Sequence, residues 1–173
     1  MTALRLLGAA CVSLACTAWG LLRARALRQR ARTLYAVGCE LEQLGSEINE
    51  LRAPLPEIVS RLKTETPAPC RAWLSALSDA LETETDARFS FLWQRTLETH
   101  APPGLGAETR ERLGMLAASL GRYDAPEQCQ ALERCLRAVE REQALAEEKA
   151  RTQGRLCVGL GAAAGLLLAV LLL

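Results

Sequence analysis

From Asp124 to Leu173 the chain changes its preferred solvent without a break. The first half, DAPEQCQALERCLRAVEREQALAEEKARTQGR, is densely charged, and the second, LCVGLGAAAGLLLAVLLL, carries no charge at all. With no Pro or loop signal between the halves, one continuous or nearly continuous helix is expected, rising from a soluble body and crossing a bilayer. Every upstream segment has to fit that geometry.

A second uncharged stretch, LLGAACVSLACTAWGLL (Leu6 to Leu22), sits near the other end. Its length falls just inside the roughly 17 to 25 residues that a spanning helix needs, and Trp19 suits an interface. A cleaved secretory signal is the competing reading, but the stretch runs at once into RARALRQRAR, with Arg23, Arg25, Arg28, Arg30 and Arg32 and no acid before Glu40. Such a block resists translocation. The second apolar stretch is preceded by Lys149, Arg151 and Arg155. Because basic flanks stay cytoplasmic, both sets place the central region in the cytoplasm at the membrane surface, with the two ends outside. The expected organisation is a membrane segment over 1–22, a basic juxtamembrane stretch over 23–33, a cytoplasmic helical bundle over 34–155 and a transmembrane helix over 156–173.

The 173 residues, less the two apolar ends, leave about 130 for a soluble part, which is room for one domain. Hydrophobic residues make up 50% of the chain but aromatics only 4%. Leu and Ala dominate, and these are helix formers, so the expected class is all-α: a bundle of about six helices between N- and C-terminal transmembrane helices. Formal net charge is +1, yet residues 33–148 hold 12 Lys and Arg against 20 Asp and Glu, a local net of −8. An acidic body on two basic feet argues against a nucleic-acid partner.

Apolar residues at Leu34, Val37, Leu41, Leu44, Ile48 and Leu51 recur at alternating spacings of 3 and 4, forming one seam on a helix that continues from the first apolar stretch to Pro54. The opposite face carries Glu40, Glu42, Glu47 and Glu50, which reads as a solvated face. Leu55 to Lys63 forms a second helix, TPAP (Thr66 to Pro69) a break, and Cys70 to Glu82 a third helix with Cys70, Trp73, Leu74, Leu77 and Leu81 inward. Asp86 is expected to cap a fourth helix on which Phe89, Leu92, Trp93 and Thr96 line one side; without interleaved basic residues these aromatics are core and not a base-stacking platform. After the loop APPGLG (Ala101 to Gly106), Glu108 to Leu120 forms a fifth helix with Leu113, Leu116 and Leu120 inward and Gly121 as its C-terminal cap. Asp124, Pro126 and Glu127 then open the last helix, whose inward face is Cys129, Leu132, Leu136 and Val139.

No catalytic or cofactor chemistry is written in this pattern. The single histidine, His100, lies beside the proline loop with no nucleophile or carboxylate at a motif spacing, so no enzyme is expected. Seven cysteines, Cys11, Cys16, Cys39, Cys70, Cys129, Cys135 and Cys157, include no C-x-x-C pair and read as small hydrophobes rather than metal ligands. There is no GxxxxGK[ST] loop for ATP. Gly161 and Gly165 form a G-x-x-x-G face on which the first span or a neighbouring subunit could pack.

The order of these features resembles a known family. Trp19-x-x-Leu22 with basic residues after it, the E-L-x-x-L-x-x-E-I stretch at Glu40, Leu41, Leu44, Glu47 and Ile48, Pro54-Leu55 opening the second helix, and L-G-x-x-D-x-x-x-Q at Leu120, Gly121, Asp124 and Gln128 together resemble the stage III sporulation protein AB family of endospore-forming bacteria. The chain is richer in Ala, Arg and Cys than is usual for that family. The resemblance implies a component of the channel-like apparatus between mother cell and forespore, anchored in the mother-cell membrane. That family is in turn similar to the cytoplasmic helical domain of the type II secretion and type IV pilus platform protein. By this analogy the partners would be a cytoplasmic secretion-type ATPase and other membrane subunits. Glu40, Glu47 and Glu50 are the candidate contact residues. The alternative is a membrane-bound regulator or sensor that acts through anionic lipid and helix contacts; self-association into a homo-oligomer fits either reading.

Overall fold

A computed structural model of the chain describes residues 2–51, 54–66, 68–120 and 125–172. They form α1 (Thr2–Leu51), α2 (Leu55–Glu65), α3 (Ala68–Thr83), α4 (Phe89–Thr99), α5 (Ala107–Ser119) and α6 (Ala125–Leu172). No strand occurs among the described residues, so the all-α expectation and the number of helices both hold. The chain falls into two compact units, Arg32–Gln143 and Met1–Ala31 with Ala144–Leu173.

The larger unit is built on the α1 seam. Leu34, Val37, Leu41, Leu44 and Ile48 are all at most 5% exposed, and burying each such side chain stabilises the fold by about 1.5–3 kcal/mol. Leu51, the last seam position, has a side chain outside the described residues. Val37, Leu41 and Leu44 of α1 meet Val59 and Leu62 of α2, Trp73 and Leu74 of α3 and Trp93 of α4 around a residual cavity of about 10 Å³. That is close to the space one water occupies, so four helices converge there with little void. Consecutive helices α2 to α5 pack neighbour on neighbour.

Two tryptophans join this core to α5. The Trp73 and Trp93 rings meet edge to face with centroids 4.7 Å apart and planes at 86°, the arrangement that ring quadrupoles favour. Phe89 tilts against Trp93 at 5.6 Å, and Trp93 Nε1 donates to the Leu113 carbonyl at 3.0 Å. Trp73 and Trp93 are core, as the lack of basic residues around them implied, while Phe89 is half-buried. The loop over 101–106 is tied down as well: buried Thr33 donates from Oγ1 to the Pro103 carbonyl, Leu105 is buried, and Gly104 makes the turn at φ 85°, a conformation that a side chain disfavours.

Helix ends differ from the sequence expectations in instructive ways. Thr66, which precedes Pro67, is driven to φ −61° and ψ 131° and ends α2 while its N–H bonds Leu62 O. Asp86 does not cap α4. The chain first makes a turn in which Ala87 N donates to Glu84 O, so the helix begins two residues later than that cap would place it, with extended Arg88 at its N-cap and no side-chain cap bond. Arg95 spans this turn instead, gripping both oxygens of Glu84. The α5 end is closed by extended Leu120; Gly121 and Asp124 lie outside the described residues. On α3 and α6, Ser78 and Cys135 are buried beside the expected inward positions, whereas Leu81, Cys129 and Leu136 are only half-buried.

In the smaller unit, Gly154 packs against Ala24, and a Cβ on Gly154 would stand 3.8 Å from that of Ala24, an ordinary van der Waals contact. Among the described residues no helix is long and apolar enough to cross a membrane. The flanking spans expected over 1–22 and 156–173 fall on segments in which many side chains lie outside the described residues.

Replacing Trp93 tests the aromatic junction. Trp93→Ala is expected to lose about 3–5 kcal/mol, and Trp93→Phe, which keeps most of the ring contact but not the N–H, about 1 kcal/mol. Urea unfolding followed by helical circular dichroism measures both, and no loss in Trp93→Phe would show that the Leu113 hydrogen bond contributes nothing to stability.

Candidate interaction surfaces

The three glutamates singled out in the sequence do not share one surface. Glu40 lies between seam residues on the tightly wound α1 and is only 5% exposed, so the expectation of a solvated position is corrected: two other helices close over it. Glu47 remains partly open at the α1–α2 edge, where Arg61 Nη2 stands 2.7 Å from Glu47 Oε2. That oxygen makes no hydrogen bond of good geometry, so the contact is an ion pair at a half-exposed site, worth at most about 1 kcal/mol. The Glu50 side chain lies outside the described residues.

Glu40 has an unusual environment for a carboxylate. Its Oε2 is 3.2 Å from Thr66 Oγ1, and its Oε1 is buried without a partner. Thr66 has one hydroxyl proton, and the Leu62 carbonyl at 2.6 Å is the nearer acceptor. Thr66 Oγ1 can therefore donate to Glu40 Oε2 only in competition with that carbonyl, which leaves the carboxyl weakly solvated. Burial pushes the Glu40 carboxyl up to about 7, against the smaller lowering effect of the Thr66 contact. The same burial, with Glu40 and Cys39 adding to it, pushes the Cys70 thiol up to about 12. Cys70 is thus an inert core thiol. Trp73 Nε1, on the wall of the same cavity, is also buried without a partner. Nothing in the sequence pattern marked Thr66 as the residue facing Glu40.

Arg23, Arg25, Arg28, Arg30, Arg32, Lys149 and Arg151 are all exposed, while Arg155 has a side chain outside the described residues. Gly161 and Gly165 also lie outside the described side chains, so the close approach visible in that unit is the one at Gly154. His100 is exposed at the end of α4, its Nδ1 2.9 Å from Thr99 Oγ1. No group of three or more His, Cys, Asp or Glu side chains that could hold a metal ion occurs among the described residues.

The sequence model of the family described as stage III sporulation protein AB matches residues 5–173. Stage III sporulation protein AB of Bacillus subtilis (strain 168) is 28% identical over 171 residues, covering 98% of this chain and 99% of the relative. A solved structure of stage III sporulation protein AB superimposes with a TM-score of 0.64 at 24% identity, over 70% of this chain and 96% of the solved one. The structural likeness bears on the fold; the sequence match bears on the family.

The Glu40 site sets a pH dependence. Between the ordinary carboxyl value of 4.5 and about 7 the folded chain keeps the Glu40 proton that the unfolded chain has released. Folding stability therefore falls as pH rises through this window, by an amount on the order of 3 kcal/mol. Urea midpoints at pH 5 and pH 8 are expected to differ in this direction, and Glu40→Gln should shrink the difference. An unchanged pH profile in Glu40→Gln would show that Glu40 is charged in the fold.

Proposed function

The chain belongs to the stage III sporulation protein AB family, and on that premise we propose that it is a non-enzymatic platform of the secretion-like apparatus between mother cell and forespore. Its two apolar ends hold it in the mother-cell membrane, and its helical body docks a cytoplasmic secretion-type ATPase together with other membrane subunits. The observation that carries this reading is the family match over residues 5–173, which takes in both apolar ends as well as the body. Charge supports it. Exposed arginines follow the first apolar stretch, Lys149 and Arg151 precede the second, and the region between them is acidic. A body standing on anionic lipid through basic feet presents its own carboxylates away from the headgroups, toward cytoplasmic partners.

The docking surface retains Glu47, at the α1–α2 edge, together with Glu50, and excludes Glu40, which is core. Gly161 and Gly165 stay assigned to helix packing within the membrane, against the first apolar stretch or a neighbouring subunit.

Two measurements test this reading. Glu47→Lys with Glu50→Lys is expected to weaken capture of the ATPase of the same apparatus about tenfold or more while helical content is kept, because the Glu47–Arg61 pair contributes little to stability. Unchanged affinity would remove this edge as the docking surface. For topology, a reporter fused after Leu173 should be silent if it is one that works only in the cytoplasm; activity there would reverse the proposed orientation.

A further inference from the structure

In the body, α5 and α6 run antiparallel and are clasped at one end, where buried Thr109 donates from Oγ1 to Glu142 Oε2. Past that clasp they leave between them a groove of about 380 Å³, lined by Met115 and Leu116 of α5 and by Ala131 and Cys135 of α6, with Arg112 and Arg134 also on its wall. Its openness has a cause in the sequence. Ala131 and Cys135 are one helical turn apart, and such short side chains do not fill the gap facing Leu116. Met115 is 61% exposed although Leu113 and Leu116 beside it are 0% and 4% exposed, so its side chain belongs to the groove and not to the core.

The charges are opposite in sign to the rest of the body. Arg134 gives its Nε to the Gln130 carbonyl, and its terminal nitrogens have no carboxylate partner among the described residues. On the groove wall Arg112 is already ion-paired, donating to Glu108 Oε1 at 2.6 Å, with its side chain 43% exposed. Of the acids on α6, Glu133 is paired with Arg137, while Glu142, which accepts from Thr109, also acts electrostatically on Arg112. Two guanidiniums thus flank an apolar floor on a body whose residues 33–148 carry a net charge of −8.

We propose that this groove docks an amphipathic helix of a partner protein, with apolar side chains on Met115, Leu116 and Cys135 and flanking Asp or Glu residues on Arg112 and Arg134. Helix recognition in a groove works through apolar anchors one turn apart, the spacing at which Ala131 and Cys135 leave room. Methionine adapts its shape to such anchors, and the arginines select carboxylates and set the orientation of the incoming helix. A bare phosphate chain would leave the apolar floor wet and would meet the repulsion of the acidic body. The proposal goes beyond the ATPase reading, since it requires only a partner helix of this chemistry, and its test uses no ATPase.

The chain has two methionines, Met1 and Met115, so methyl-labelled Met gives one reporter in the body. With the whole chain in lipid nanodiscs, three synthetic helical peptides of about 15 residues are titrated: one with Leu one turn apart flanked by Glu, one with Lys in place of Glu, and one with the Glu peptide's composition scrambled. The Glu peptide is expected to shift the Met115 methyl resonance saturably while the other two do not. Arg134→Glu should weaken the Glu peptide about tenfold or more and admit the Lys peptide. Ala131→Leu, which fills the groove, should abolish the shift with helical content retained. Equal responses to all three peptides, or none to any, overturn the proposal. A Met115 shift that depends on chain concentration without peptide also overturns it, by assigning the groove to a second copy.

Discussion

The body depends on a single apolar line along α1. Leu34, Val37, Leu41, Leu44 and Ile48 stack at alternating three- and four-residue steps, and the line is buried only because α2, α3 and α4 each bring side chains to it. The short helices also pack neighbour on neighbour, and α2, α4 and α5 are too short to be stable in isolation. Helix α1 therefore acts as the template, and the edge-to-face pair of Trp73 and Trp93 extends its core outward to α5.

The same template explains the one costly residue in the core. A position flanked by Val37 and Leu41 on one side and Leu44 on the other has to be covered when α2 and α3 dock, whatever it carries. Glu40 occupies that position, with a threonine hydroxyl beside it and no cation paired with it among the described residues. Burying a charge without a partner is far more costly than burying a neutral carboxyl. The fold resolves the conflict by holding the proton, which links the packing of α1 against α2 to pH.

The described surfaces of the body differ in chemistry. At the α1–α2 edge Glu47 is ion-paired with Arg61, whereas the α5–α6 groove is lined by apolar side chains with Arg112 and Arg134 beside them.

Much of this was legible from periodicity and punctuation. The all-α class, the seam, the breaks at Pro54 and over 101–106 and the burial of Trp73 and Trp93 follow from local rules, since apolar spacing and Pro or Gly placement act on a few neighbouring residues. The resemblance to the sporulation family was likewise carried by short motifs in order. The misjudged features were those in which distant segments meet. Glu40 looked solvated because its helical face appeared polar, and only the docking of Thr66 and Cys70 from later helices shows it to be core. Asp86 looked like a cap because local propensity favours it, but the turn at Glu84 and its grip by Arg95 shifted the helix start. The α5–α6 groove left almost no trace beyond an off-seam Met115 and small residues at Ala131 and Cys135. The sequence by itself determined which segments are helices and which faces are apolar, because these are short-range properties of the chain. The tertiary structure alone decided which polar groups are trapped and which apolar ones are left open, because both depend on how completely one helix covers another.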